Sequence, residues 1–129
     1  MKKGFTLIEL MLVVIIIGIL AGVVAPRLAG RAEKAKQEVA RAAVTASLPA
    51  AIDLYELDVG SYPQSLDDLA TQPSDAQSWD GPYLKKAARD PWGRDYHYSY
   101  PSEHGGDFDV ASEGRDGILG SEDDIVSWE

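Results

Sequence analysis

Phe5-Thr6-Leu7-Ile8-Glu9-Leu10-Met11-Leu12-Val13-Val14-Ile15-Ile16-Ile17-Gly18-Ile19-Leu20-Ala21-Gly22-Val23-Val24-Ala25 contains a single charged side chain, Glu9. Its 21 residues would make about 31 Å of helix, enough to cross the hydrocarbon core of a bilayer. Lys2 and Lys3 precede it, and the positive-inside rule keeps such residues cytoplasmic and sends the C-terminal portion of the chain across the membrane. The remaining residues resemble one ordinary domain, because 129 residues with 45% hydrophobic and 26% charged positions leave no room for a multidomain enzyme. Without cysteine a domain of this size has no disulfide to compensate for a modest core.

Glu9 decides between a plain anchor and something more specific. A carboxylate inside an apolar spanning helix costs roughly 2.5 to 3.5 kcal/mol on insertion scales, so a partner is needed. Cleavage between Gly4 and Phe5 would create an amine four residues, about one helical turn, before Glu9, and this amine could pair with Glu9 of a neighbouring copy. A cleaved secretory signal peptide shares the basic start and apolar middle, but its small-residue cleavage site is matched only loosely at Ala21-Gly22-Val23 and Val23-Val24-Ala25. The run Lys2-Lys3-Gly4-Phe5-Thr6-Leu7-Ile8-Glu9, with the apolar stretch behind it, resembles the class III leader of type IV pilins and pseudopilins. The resemblance implies a leader at 1–4, a transmembrane and filament-core helix at 5–25, cleavage after Gly4 by a prepilin peptidase, N-methylation of Phe5, and a register-setting role for Glu9 in assembly.

Beyond the anchor, apolar residues continue at helical spacing through Val39, Ala43, Ala46, Ala50, Leu54 and Leu57, which predicts an amphipathic helix reaching about residue 58 with that stripe inward. Pro26 and Pro49 lack amide donors and are expected to kink or locally open it. Gly60-Ser61-Tyr62-Pro63 supplies a stop, and Ser65 to Leu69 reads as an N-capped short helix. Three strand candidates come next, Tyr96–Tyr100, Phe108–Ser112 and Asp124–Trp128, with Tyr96, Tyr98 and Tyr100 expected against the helix or at the sheet rim. The expected fold is α+β: a long N-terminal helix, its transmembrane half protruding, packed on a small antiparallel sheet of about three strands in a periplasmic domain at 26–129.

Charge is polarised along the chain. Residues 27–41 carry five basic side chains against two acidic ones, whereas 42–129 carry five against eighteen. The surplus of negative charge argues against nucleic acid binding by this portion, and no nucleic acid partner is expected. In its last part, Asp116, Asp123 and Asp124 lie among Gly114, Gly117 and Gly120, where the backbone can turn oxygen ligands inward. An EF-hand does not fit, since Ser112 and Gly114 fall where its first two acids belong and Asp123 where its closing glutamate belongs. His97 and His104 are isolated, lack cysteine partners and read as structural; no nucleotide-binding loop or catalytic triad is spaced in the sequence.

Leu54-Tyr55-Glu56-Leu57-Asp58 with Tyr62-Pro63, then Gly81-Pro82-Tyr83-Leu84-Lys85-Lys86, Asp90-Pro91-Trp92-Gly93 and Ser112-Glu113-Gly114-Arg115-Asp116-Gly117 are similar to the major pseudopilins of type II secretion systems. Pro49 and the Gln64–Leu69 segment depart from that pattern. The resemblance implies a bound calcium ion (Ca2+) with Asp116, Asp123 and Asp124 as side-chain ligands, and Glu113 and Leu119 as further candidates through main-chain carbonyls. It implies a non-enzymatic subunit of a periplasmic pseudopilus that helps export folded proteins. The partners implied are a homopolymer in a helical filament, prepilin peptidase, minor pseudopilins, an inner-membrane assembly platform, a cytoplasmic ATPase, and membrane lipid before assembly. The expected location is the bacterial inner membrane, single-pass with the N-terminus cytoplasmic and the C-terminal domain periplasmic, and then the periplasmic filament. The alternatives are a type IV pilin of a surface filament serving adhesion, motility or DNA uptake, and a membrane-anchored calcium-binding module that does not polymerise.

Overall fold

The computed structural model describes residues 2–129. Two compact units divide the chain, one up to Ala35 and one spanning Lys36–Glu129. Helix α1 (Leu7–Ala42) passes through Pro26, a π-helical turn continues it at Ala43–Ser47, and α2 (Leu48–Val59) completes a helical run of 53 residues. In the first unit the helix is exposed throughout its apolar stretch, from Leu7 to Leu28. Such a surface is stable in water only when something covers it.

The π-turn explains how Pro49 is tolerated. Proline offers no N–H to the carbonyl four residues back, so a regular helix would lose a bond there. Here the backbone inserts one residue, and the Leu48 N–H donates to the Ala43 carbonyl five residues earlier. Pro49 then occupies the first turn of α2, where a missing donor costs nothing. Gly60, at φ 88°, closes α2 with its N–H on the Glu56 carbonyl at 2.8 Å. The expectation of a local opening is met at Pro49, while at Pro26 the helix runs on uninterrupted.

The inward face differs from the expected one. Ala40, Val44, Leu48, Ala51, Ile52 and Tyr55 are buried, whereas Val39, Ala46, Ala50, Leu54 and Leu57 are exposed, Leu57 by 75%. The helix is apolar on two faces, and periodicity alone could not say which one meets the sheet. Tyr55 marks the inward face: it is buried, and its ring lies 5.7 Å from that of Tyr83 in an edge-to-face pair.

Three short strands form one antiparallel sheet in the order β1 (His97–Ser99), β2 (Asp109–Ser112), β3 (Ile125–Val126). Tyr98 pairs with Val110 and Ser112 with Ile125. Each strand is shorter than its sequence pattern, because flanking residues turn away into loops. The core joins the helix to the sheet through Val44, Leu48, Ile52, Tyr55, Leu69, Tyr96, Val110 and Ile125. Tyr98 donates to the Pro63 carbonyl at 2.9 Å, and Tyr62 packs against Tyr100 and Phe108 at 5.1 and 5.5 Å. The segment Leu66–Leu69 is a single 3₁₀ turn, started by Asp68 accepting the Gln64 and Ser65 N–H groups at 3.0 and 3.2 Å.

The two helix faces give a direct test. Ile52→Ala should destabilise the full-length chain in detergent by about 2 to 4 kcal/mol, the usual cost of a core cavity, while Leu54→Ala should stay within about 0.5 kcal/mol. Chemical denaturation of both variants checks the register, and equal losses would mean that the inward face is misassigned.

Candidate functional sites: the N-terminal motif and the acidic loop

At the N-terminus, Gly4 has open space where a side chain would begin and Phe5 is 93% exposed. Among the described residues none obstructs the approach of a peptidase to the Gly4–Phe5 bond. Close behind it, Thr6 and Glu9 form a reciprocal cap. The Thr6 N–H and hydroxyl donate to Glu9 Oε2 at 2.8 and 3.0 Å, and the Glu9 N–H donates to Thr6 Oγ1 at 3.3 Å. This is a capping box, and its Thr-x-x-Glu spelling is present in the sequence. Within one copy, then, Glu9 finds donors close by and is held at the start of α1, where the helix dipole also favours a carboxylate.

The acidic loop joins β2 to β3, so its ends are fixed by neighbouring strands. Buried Asp90 anchors one side: its Oδ1 accepts the Trp92 and Arg94 N–H groups at 3.1 and 2.8 Å, and its Oδ2 accepts the Ser112 hydroxyl at 2.9 Å. Ser112 Oγ in turn accepts the Gly114 N–H at 3.2 Å. Gly114, at φ 67°, lies so close to Asp123 that a Cβ there would come within 2.3 Å of its carbonyl oxygen. No other residue allows that approach.

The structure brings Asp116, Asp123 and Asp124 together around Ser121, a residue that charge patterning does not single out. Ser121 Oγ stands 3.2 Å from Asp116 Oδ1, 2.6 Å from Asp123 Oδ1 and 3.3 Å from Asp124 Oδ1. Asp123 Oδ2 also accepts the Asp116 N–H at 3.0 Å, and Asp124 Oδ2 accepts the Gly120 N–H at 2.5 Å. The hydrogen bond from Ser121, then that from the Asp116 N–H, holds the Asp123 carboxyl down to about 2. A hydroxyl has one proton to give, so three carboxylates compete for it and the loop keeps an excess of negative charge. An all-oxygen, anionic donor set of this kind suits calcium. Among the described residues no three acidic or histidine side chains yet share a coordination centre, so binding would require the carboxylates to turn from Ser121 toward the ion. For Glu113 and Leu119 the expected donors are main-chain carbonyls; the Glu113 side chain itself meets His97 Nε2 at 2.6 Å, and Leu119 is exposed on the loop.

Both histidines are used structurally. His104 Nδ1 lies 2.8 Å from Asp109 Oδ2, and its ring stacks on Trp128 at 3.7 Å with 3° between planes. Asp109 is 4% exposed and also accepts from Ser102 Oγ at 2.6 Å and from the Glu103 N–H at 2.8 Å. These contacts tie the loop after β1 to the residues beyond β3.

An exposed apolar helix behind a Gly-Phe-Thr-Leu-Ile-Glu start, with a helix on a small sheet beyond it, defines a pilin-like protein, and residues 1–25 match the prokaryotic N-terminal methylation motif. Residues 27–128 match the family model for type II secretion system protein G, and the chain belongs to that family. It is 42% identical over 134 residues to type II secretion system core protein G of Escherichia coli K12, covering 98% of this chain and 91% of that one. The core protein G of Pseudomonas aeruginosa is 43% identical over 139 residues, with 99% and 96% covered. Among solved structures, the major pseudopilin from the type 2 secretion system of enterohaemorrhagic Escherichia coli aligns with a TM-score of 0.66 at 33% identity, over 77% of this chain and 87% of that one.

Asp109 sets an acid limit for the domain. Burial raises its carboxyl, but the hydrogen bonds from Ser102, His104 and the Glu103 N–H outweigh burial and hold it below the ordinary aspartate range. A lowered folded value stabilises above the unfolded value of about 3.9 and loses that contribution as pH falls through the folded one. Between about pH 5 and about pH 3 the melting temperature should therefore fall less steeply in Asp109→Asn than in the unaltered chain. Parallel pH profiles would remove Asp109 from that role.

Proposed function

We propose that the chain is inserted in the bacterial inner membrane with its N-terminus cytoplasmic, cut between Gly4 and Phe5, methylated on Phe5, and polymerised through its N-terminal helix. As a member of its family it is a structural subunit of the type II secretion pseudopilus, a filament that helps move folded proteins out of the periplasm. The observation that carries this reading is the apolar surface of the stem, interrupted only by Glu9 between Leu7 and Ala25, all of whose large hydrophobic side chains are exposed in the single chain. Lipid covers it before assembly, and the stems of other copies cover it afterwards. Head-to-tail contacts between copies do not close, so they propagate as a helix.

Glu9 changes partners along this route. The Thr6 cap satisfies it in the separate subunit, and the Phe5 amine of an adjacent copy takes it over in the filament, where a charge-assisted hydrogen bond inside an apolar core is stronger than a neutral one. The exposed stripe Val39, Leu54 and Leu57 gives the second unit an assembly surface of its own. Prepilin peptidase, minor pseudopilins, an assembly platform and a cytoplasmic ATPase are the partners this route requires, the last because the chain carries no nucleotide-binding motif of its own. Calcium is the proposed ligand of the β2–β3 loop through Asp116, Asp123 and Asp124, supported by the convergence of their carboxylates on Ser121.

Glu9→Ala should leave the chain inserted in the membrane while filament yield, measured by shearing and electron microscopy, falls by about tenfold or more; normal filaments would sink the pairing. Calcium at about a hundredfold excess over its Kd should raise unfolding free energy by about 2.7 kcal/mol through mass action. That gain should vanish in Asp116→Ala and Asp124→Ala, and identical melting with calcium and with chelator would make the loop a hydrated acidic turn.

A further inference from the structure

We propose that Arg94 is a positioning residue for the acidic loop: its guanidinium straps the Glu113–Gly117 arm in place, so that the backbone of the arm is ordered independently of any ion and only the carboxylates have to turn for one to bind. The link to a cation rests on the calcium reading of the loop; the strap itself rests on contacts already present. Arg94 Nη1 donates to the Gly114 carbonyl at 3.1 Å. The flat face of the same guanidinium covers Gly117, where a Cβ would come within 2.5 Å of Arg94 Cζ. Nε lies 3.9 Å from Glu113 Oε2, and Glu113 is held from its other oxygen by His97. One planar group thus meets Glu113, Gly114 and Gly117 of the same arm.

The base of the strap is equally defined. The Arg94 N–H donates to buried Asp90, which also holds Ser112, and Ser112 holds the Gly114 N–H. Gly114 is therefore gripped twice, at its N–H through Asp90 and Ser112 and at its carbonyl through Arg94. Its immediate neighbour in space is Asp123, and the Asp116 N–H of the same arm bonds the Asp123 carboxylate. Fixing this arm consequently fixes where Asp116 and Asp123 meet. A guanidinium suits the task because it is planar, always charged and directs several donors from one rigid group, whereas an ammonium offers a single charged point. Its charge repels an incoming cation, but the side chain is 39% exposed and solvent screens that repulsion. The entropy of ordering a glycine-rich arm is the larger effect.

The test uses the full-length chain in detergent micelles, as Arg94→Ala and Arg94→Lys beside the unaltered protein. Amide hydrogen exchange is followed in chelator, and calcium binding is then measured by titration calorimetry with calcium chloride. In chelator, the Asp116, Ile118 and Gly120 amides should exchange about tenfold faster in Arg94→Ala, with the Val110 amide unchanged. Arg94→Lys should behave like Arg94→Ala, because charge without the planar fork does not grip Gly114 and Gly117. Calcium should bind Arg94→Ala about tenfold more weakly. Equal loop protection in Arg94→Ala overturns the strap, and full restoration by lysine overturns the geometric account in favour of charge alone. If the unaltered chain binds no calcium while Arg94→Ala still loses loop protection, the calcium reading falls and the strap stands.

Discussion

The second unit depends on one shared core, in which Val44, Leu48, Ile52 and Tyr55 of the helical run are buried together with Val110 and Ile125 of the sheet. The three strands contain too few residues to bury a core on their own, and an isolated small sheet is marginal in water. Laid on the helix, β2 is buried along its whole length. This burial places the ends of β2 and β3, and those ends hold the acidic loop. A cavity at Ile52 would therefore be felt at Ser112 and Ile125, where the loop begins and ends.

Around that contact, polar side chains take over where apolar area runs out. Asp90 and Asp109 are both buried, and each gathers several donors from loops rather than a single opposite charge. Such carboxylates act as junctions: Asp90 connects the turn before β1 to the end of β2, and Asp109 connects the loop after β1 to Trp128 through His104. In a chain without cysteine these junctions do part of the work that disulfides do in small secreted domains.

The sequence exposed the α+β plan because its two periods, helical through residue 58 and alternating after residue 96, do not overlap, and the apolar run before Pro26 has one reading. What it hid has physical reasons. The helix carries two apolar faces, so Val39, Ala46, Ala50, Leu54 and Leu57 matched the period as well as the residues that are actually buried. The π-turn added to the ambiguity, since one inserted residue rotates everything after it by about 100°. Strand ends are set by hydrogen bonding between distant residues, which no local pattern contains. In the loop the three aspartates were visible from charge, but Ser121 acts through chain reversal and Arg94 through a contact distant in sequence, and neither has a spacing signal. Glu9 stands out by its cost in lipid, and its cap with Thr6 is spelled out a few residues from the chain's start.

The exposed stem also determines where the filament can grow. Leu7 to Leu28 present a long series of large apolar side chains to their surroundings, and covering each is worth about 1.5 to 3 kcal/mol. The sum, on the order of tens of kcal/mol, makes the concentration of free subunits in the aqueous phase negligible. A subunit can therefore be delivered only from the bilayer, directly into a site that adjoins it. On the proposed route elongation takes place at the membrane-proximal end of the polymer, and a filament severed from its membrane would shorten or persist but have no reservoir from which to lengthen.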